Sequence, residues 1–165
     1  MDASTDPRSR QRTLAYYVQR FGSLRTNVRK DGKSPHKPAM LLAVLECFEA
    51  GEIRVNQIQF NGRLLAHFAA IFEAVRGEAD RCNPALPFFH LRSDRFWHLQ
   101  AKPGCETALA VVRNLRSARS VEEVIDHAYL DEELFALLLQ SESRSALRQA
   151  LLNAWHSPNA ENVRA

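Results

Sequence analysis

Cysteine is scarce in this chain of 165 residues. Cys47, Cys82 and Cys105 form no CxxC pair, and an odd number argues against a disulfide framework. The six glycines build neither a GxxxxGK nor a GxGxxG loop, so the phosphate-cradling classes that depend on those turns are excluded. The six histidines show no HxxxH or HExxH spacing, and no metal site is expected. No run of ~18 apolar residues occurs, which excludes a hydrophobic membrane span. The opening MDASTDPRSRQR is polar and acid-bearing, unlike a signal peptide. Nuclease-type carboxylate clusters are missing too, since the acids of 122–133 fall at helix starts, where they favour the macrodipole. The expectation is a non-catalytic, cofactor-free protein of a reducing cytoplasm.

What is present reads as a folded domain. Hydrophobic residues make up 45% and charged residues 25%, a mixture that fits neither disorder nor a disulfide-stapled scaffold. One domain over 12–157 is expected, between short tails at 1–11 and 158–165. Charge is unevenly distributed along it. Residues 1–37 hold nine Lys/Arg against three acids, +6, and residues 91–120 hold six against two, +4. Residues 38–90 (four against six, −2) and 121–165 (three against eight, −5) are acidic. Two basic blocks alternating with two acidic ones point to a polyanionic partner or to an ordinary solvated surface.

Apolar spacing predicts the helices. Leu14, Tyr17, Val18 and Phe21 predict one over 12–21, stopped by Gly22. Pro38 suits the first position of a second helix, PAMLLAVLECFEA, apolar nearly all round and therefore central and buried, with Gly51 as its stop. Residues 52–55 predict a short strand. Leu64, Phe68, Ile71 and Val75 mark a third helix ending at Gly77. PFFHLRSDRFWHLQ predicts a hairpin turning at Ser93-Asp94 or Asp94-Arg95, with Phe89, Leu91, Phe96 and His98 on one face. Phe88, His90, Arg92, Trp97 and Leu99 then share the other. Residues 101–119 form a basic connector with room for a helical turn. Ser120 and Glu123 suggest a capping box opening a helix at 121–128, and Asp131 a cap for 132–140. Leu147, Leu151 and Trp155 stripe a last helix ended by Pro158. The predicted class is α+β, mostly helical with one hairpin, close to a winged helix.

The chemistry-bearing segment is SLRTNVRKDGKSPHKP. Arg25, Arg29, Lys30, Lys33 and Lys37 concentrate positive charge on a loop. If Pro38 opens a helix, His36 and Lys37 stand beside unsatisfied N–H groups and the positive dipole end, a site for a phosphate-like anion. The alternative is that Ser34 merely caps the turn and Lys37 is solvated. Arg92 at the hairpin tip either contacts a partner or is solvated, and Trp97 suits packing better than base stacking. His67 reads as structural, and Cys47, within an apolar helix, as core.

Three blocks in order, PHKPAMLLAVL, LPFFHLRSDRFWHL and LDEELFALL…LRQALLNAW, carry a resemblance covering most of residues 12–156. The chain resembles the sulfur-binding domains of McrA-type, type IV restriction endonucleases, which recognise phosphorothioate-modified DNA. In that family a phosphorothioate sulfur sits in a shallow apolar cavity flanked by basic residues. The resemblance implies His36 and Lys37 as the polar side of the pocket, with Leu86, Pro87 and His90 as its floor and wall. Two departures bear on pocket shape: many relatives have Tyr where this chain has Leu86, and His90 stands at a position open to a small residue. Backbone contacts are expected from Arg25, Arg29, Lys30, Lys33, Ser34 and Arg92, and a base-reading side chain from among Arg113, Arg116 and Arg119. No H-N-H motif is found in this chain. The resemblance therefore implies a reader rather than a nuclease, either freestanding or part of a longer enzyme, acting as monomer or homodimer with phosphorothioate-modified double-stranded DNA, and with a nuclease domain or protein as a candidate second partner. Competing readings are a winged-helix regulator blind to sulfur and an interaction module docking through its acidic C-terminal helices.

Overall fold

The Leu-rich segment after SPHKP forms the centre of the fold. A computed structural model describes the backbone at residues 13–25, 28–29, 32–77 and 80–164, and the side chains of the same residues except 28–29, 32–33 and 155–164. The elements run α1 (Leu14–Phe21), β1 (Val28–Arg29), β2 (Gly32–Lys33), α2 (His36–Glu49), α3 (Gly62–Val75), α4 (Ala85–His90) and a 3-10 turn (Leu91–Asp94). They continue with β3 (Trp97–Ala101), α5 (Glu106–Val111), α6 (Ala118–Val124), β4 (Ile125–Leu130), α7 (Glu132–Leu138) and α8 (Ser141–Arg164). The class is α+β and mostly helical.

Helix α2 is enclosed on all sides, as its composition predicts: Ala39, Met40, Leu41, Ala43, Val44, Leu45, Cys47 and Phe48 are buried. α3, α4 and α8 pack against it, and α1 lies on α8. The helix starts earlier than expected, at His36 after Pro35. Pro38 is its third residue, where a missing N–H is harmless because the first-turn donors have no intrahelical partner. Asn61 caps α3 by accepting from Leu64 N at 3.1 Å.

The predicted 87–100 hairpin does not form. Residues 85–90 are helical, 91–94 make a 3-10 turn, and only Trp97–Ala101 is a strand. Phe88, Phe89 and Leu91 are all completely buried, so the apparent alternation reflected burial on every side rather than a pleat. Pro87 fits a first helical turn, and Asn83 Oδ1 accepts from Ala85 N at 3.1 Å to start it. The chain then turns at Arg95, the non-glycine positive φ among the described residues, at 71°. The partner of β3 is β4, antiparallel from Trp97↔Leu130 to Ala101↔Ile125. The expected helix at 121–128 is thus corrected: Ser117 and Ser120, not Ser120 and Glu123, form the capping box, and residues 125–130 leave the helix for the sheet. Residues 52–55 form no strand. Contact with the sheet comes later, at the Ile58↔Ala128 bridge. The other antiparallel pair is β1 with β2. α8 runs past Pro158, to Arg164, rather than ending there.

Candidate nucleic-acid interface

Two residues at the start of α2 organise this end of the molecule. Lys37 is 8% exposed, and its ammonium donates to Asp94 Oδ2 at 2.7 Å, to Ser93 Oγ at 3.1 Å and to the Arg25 carbonyl. Three acceptors saturate its three donors. Asp94, itself 3% exposed, also accepts from Arg25 N at 2.8 Å through Oδ1, while its carbonyl accepts from Arg20 Nη2 at 2.8 Å. The backbone N–H and C=O of Arg25 are therefore both held by one buried ion pair, with the Arg25 side chain exposed. Lys37 is an internal clasp at the root of the basic loop, and its charge is matched by Asp94.

His36 is half-buried. Its Nε2 lies 2.9 Å from the Arg81 carbonyl, which can only accept, so Nε2 carries a proton. Nδ1 is 2.8 Å from Ser34 Oγ, and the ring packs on Phe72 with centroids 4.8 Å apart. The imidazole thus ties residue 81 to the start of α2. From there the chain is joined onward: Asn83 Nδ2 donates to the Arg116 carbonyl at 2.9 Å, and His90 Nε2 lies 2.8 Å from Asn114 Oδ1. Between these ties sit Leu86, half-buried, and Pro87, buried. These hydrogen bonds join the segments bearing His36, Leu86–Pro87–His90 and Arg113–Arg116 to one another. Arg25, Arg81, Arg113 and Arg116 are exposed on segments whose backbones or immediate neighbours make these ties.

Arg92 is not at a hairpin tip. Its guanidinium lies 4.0 Å over the Phe89 ring and donates to the carbonyls of Val112 at 2.8 Å and Leu109 at 3.2 Å. Those carbonyls end α5, so Arg92 caps that helix from inside, where a cation suits the negative dipole end. Burial lowers its pKa from the usual arginine value. Arg119 is 88% exposed as a side chain and pairs with Glu123 at 3.2 Å on the same helix, a contact of small energetic consequence. The side chains of Arg29 and Lys33, and Lys30 as a whole, lie outside the described residues. Trp97 is fully buried and donates to the Phe88 carbonyl at 2.9 Å, as packing predicts.

Sequence reasoning missed Asp94, Arg81, Asn83 and Asn114. Asp94 and Arg81 carried a usable signal, standing within or just before the LPFFHLRSD block. Asn83 and Asn114 act through tertiary ties that no local spacing announces.

The domain is small and mostly helical, with exposed arginines on segments joined by hydrogen bonds. Residues 15–163 match the ScoMcrA-like DNA sulfur-binding domain family. The chain belongs to that family. No curated protein matches it significantly. Among solved structures, the sulfur-binding domain of SprMcrA complexed with phosphorothioated DNA superposes with a TM-score of 0.61 at 20% identity, covering 86% of this chain and 84% of that one. The corresponding ScoMcrA complex gives 0.58 at 19% identity, covering 86% and 87%. A ScoMcrA structure with sulfur-binding and SRA domains, also complexed with phosphorothioated DNA, gives 0.57 at 22%, and the match covers 79% of this chain and 40% of that one. No helix among the described residues is long and apolar enough to cross a membrane.

Proposed function

We propose that this chain is a non-catalytic reader of phosphorothioate-modified double-stranded DNA serving modification-dependent restriction in the cytoplasm, with any cleavage performed by a separate nuclease domain or partner. The observation that supports the reading is the set of ties that joins His36 to residue 81, and Asn83 and His90, on either side of Leu86 and Pro87, to the Arg113–Arg116 segment.

Replacing a non-bridging phosphate oxygen by sulfur keeps the negative charge but makes that corner larger, more polarizable and less strongly hydrated. An apolar patch of Leu86 and Pro87 discriminates by desolvation. Oxygen placed there loses hydrogen bonds to water without replacement, whereas sulfur loses less. By the penalty for an unpaired polar atom, the preference is about 1–3 kcal/mol, roughly fivefold to 150-fold. His36 and His90 wall the patch, and the start of α2 adds its positive dipole end. Because Lys37 is neutralised by Asp94, its part is to hold Arg25 in place; phosphate charge is met by Arg25, Arg29, Lys30, Lys33, Arg81 and one or more of Arg113, Arg116 and Arg119, with Ser34 adding a hydroxyl. Arg92 supports the face from within.

The test is fluorescence anisotropy with a short duplex bearing one phosphorothioate of defined stereochemistry beside its unmodified twin, over several flanking sequences. One pocket accepts one corner of a tetrahedral phosphorus, so a tenfold or greater preference for a single stereoisomer is expected. Equal binding of both duplexes leaves a general DNA-binding domain, and no binding at all leaves a protein-interaction module; either result overturns the sulfur reading.

A further inference from the structure

At the far end of α2, three side chains from separate segments converge. Cys47 is in the last turns of α2, Glu52 follows that helix, and His67 is on α3. One ligating atom from each lies within 4.8 Å of the others, and His67 Nε2 is 3.1 Å from Glu52 Oε1. We propose that Cys47, Glu52 and His67 form a zinc-binding site, with water in the fourth position.

The backbone builds this arrangement. Gly51, at φ 73°, lies just after the helix. Its N–H donates to the Phe48 carbonyl at 3.1 Å, and Glu52 N–H donates to the Cys47 carbonyl at 2.8 Å. This is the paired bonding of a Schellman turn, and it folds Glu52 back over Cys47. A left-handed φ is what glycine adopts without strain. The position of the carboxylate relative to the sulfur is therefore set by the chain rather than by side-chain chance.

The donor set suits zinc. Thiolate, imidazole and carboxylate at about 2.0–2.3 Å from a tetrahedral ion stand about 3.3–3.7 Å apart. The 3.1 Å separation of His67 and Glu52 is already near that edge. The side chains of Glu52 and His67 retain 23% and 30% exposure, which gives an ion a way in and the two ligands room to adjust around the fixed, buried Cys47. Charge favours a cation as well: Glu52 and Glu46 both act on Cys47, opposed by Arg63, and Glu46 is also met by Arg148. A cation also complements the C-terminal end of α2, whose last turn has no basic residue.

Without metal, burial foremost and then Glu52 push the Cys47 thiol up to about 12. Binding accordingly exchanges the S–H proton, released to solvent, for a zinc–sulfur bond. Cys47 lies about 16 Å along α2 from His36, by the rise per residue of a helix. Zinc there clasps α2 to α3 without reaching the proposed DNA face, so the inference stands apart from the DNA reading.

The test uses tag-free, chelator-treated protein carrying Cys82→Ser and Cys105→Ser, leaving Cys47 as the remaining thiol. Titration with cobalt(II) is expected to give one equivalent, a near-ultraviolet thiolate-to-metal band and visible bands of tetrahedral intensity, all displaced by zinc. Adding Cys47→Ser is expected to abolish the near-ultraviolet band, and His67→Gln to weaken binding at least tenfold, with circular dichroism confirming that each variant is folded. If Cys47→Ser fails to fold, the parent spectrum and His67→Gln carry the test. No thiolate band at millimolar cobalt, or His67→Gln binding as tightly as the parent, overturns the proposal.

Discussion

Lys37 Nζ and Asp94 Oδ2 are 2.7 Å apart, with side-chain exposures of 10% and 4%. The pair joins the central helix to the end of the 3-10 turn and holds both backbone groups of Arg25 between them. Removing either partner leaves a buried charge unmatched. Lys37→Met and Asp94→Asn are each expected to destabilise the fold by about 3–5 kcal/mol in urea titrations. The double variant Lys37→Met/Asp94→Leu is expected to lose clearly less than the sum of the two singles. Additive losses would mean that the two groups do not act as a pair.

Leu86 makes a separable prediction because it is only half-buried. Leu86→Asp is expected to abolish the preference for modified over unmodified duplex, by placing a charge against the sulfur, while thermal stability changes little. Parallel anisotropy and melting curves check this. A folded variant that retains the preference would remove Leu86 from the pocket.

The arginines are ranked by their ties. A base contact shows a loss of about 1–3 kcal/mol confined to certain flanking sequences, whereas a phosphate contact shows a uniform loss and a salt slope lower by about 1. Arg116, whose carbonyl is fixed by Asn83, is expected to give the sequence-selective loss when changed to alanine. Arg119, exposed and paired with Glu123, is expected to change affinity by less than about twofold.

Acid sensitivity is expected where α8 meets α2. Arg148 donates to Glu49 at 3.0 Å and to Glu46 at 3.4 Å, and its hydrogen bonds hold the Glu49 carboxyl below the ordinary glutamate value of 4.5. A depressed carboxylate pKa adds stability that is present above 4.5 and is lost as pH falls through the lower, folded value. Glu49 is 39% exposed as a side chain, so screening keeps the contribution to about 0.2–1 kcal/mol. Arg148→Gln is expected to be less stable than wild type at pH 6 and nearly equal to it at pH 3. A gap that stays constant over that range would assign the effect of Arg148 to packing.

The helices α1 and α3 were readable because each keeps its apolar period within one segment, as Leu14, Tyr17, Val18 and Phe21 do, and α2 because a long apolar run lies between Pro38 and Gly51. The 85–101 region misled because Phe88, Phe89 and Leu91 are buried from all sides, and a completely buried stretch has no period to read. Strand β4 was hidden for a different reason: Trp97 pairs with Leu130, and local patterning says nothing about a partner that distant. The same limit applies to function. Blocks containing His36, Pro87 and Asp94 were visible in order along the chain, but the ties His36–Arg81, Asn83–Arg116 and Lys37–Asp94 exist only after folding. Cys47, Glu52 and His67 escaped a search by spacing because a helix-ending turn and a neighbouring helix, rather than one short motif, bring them together.

Strands β3 and β4 close at Ala101↔Ile125, and residues 102–124 leave and return through that one gate. Leu109, Leu115 and Val121 of this excursion are buried in the core, and Asn83, His90 and Arg92 hold it at Arg116, Asn114, Leu109 and Val112. Its path is therefore fixed while Arg113 and Arg116 stay exposed, so new side chains at those two positions can be tried without renegotiating the fold.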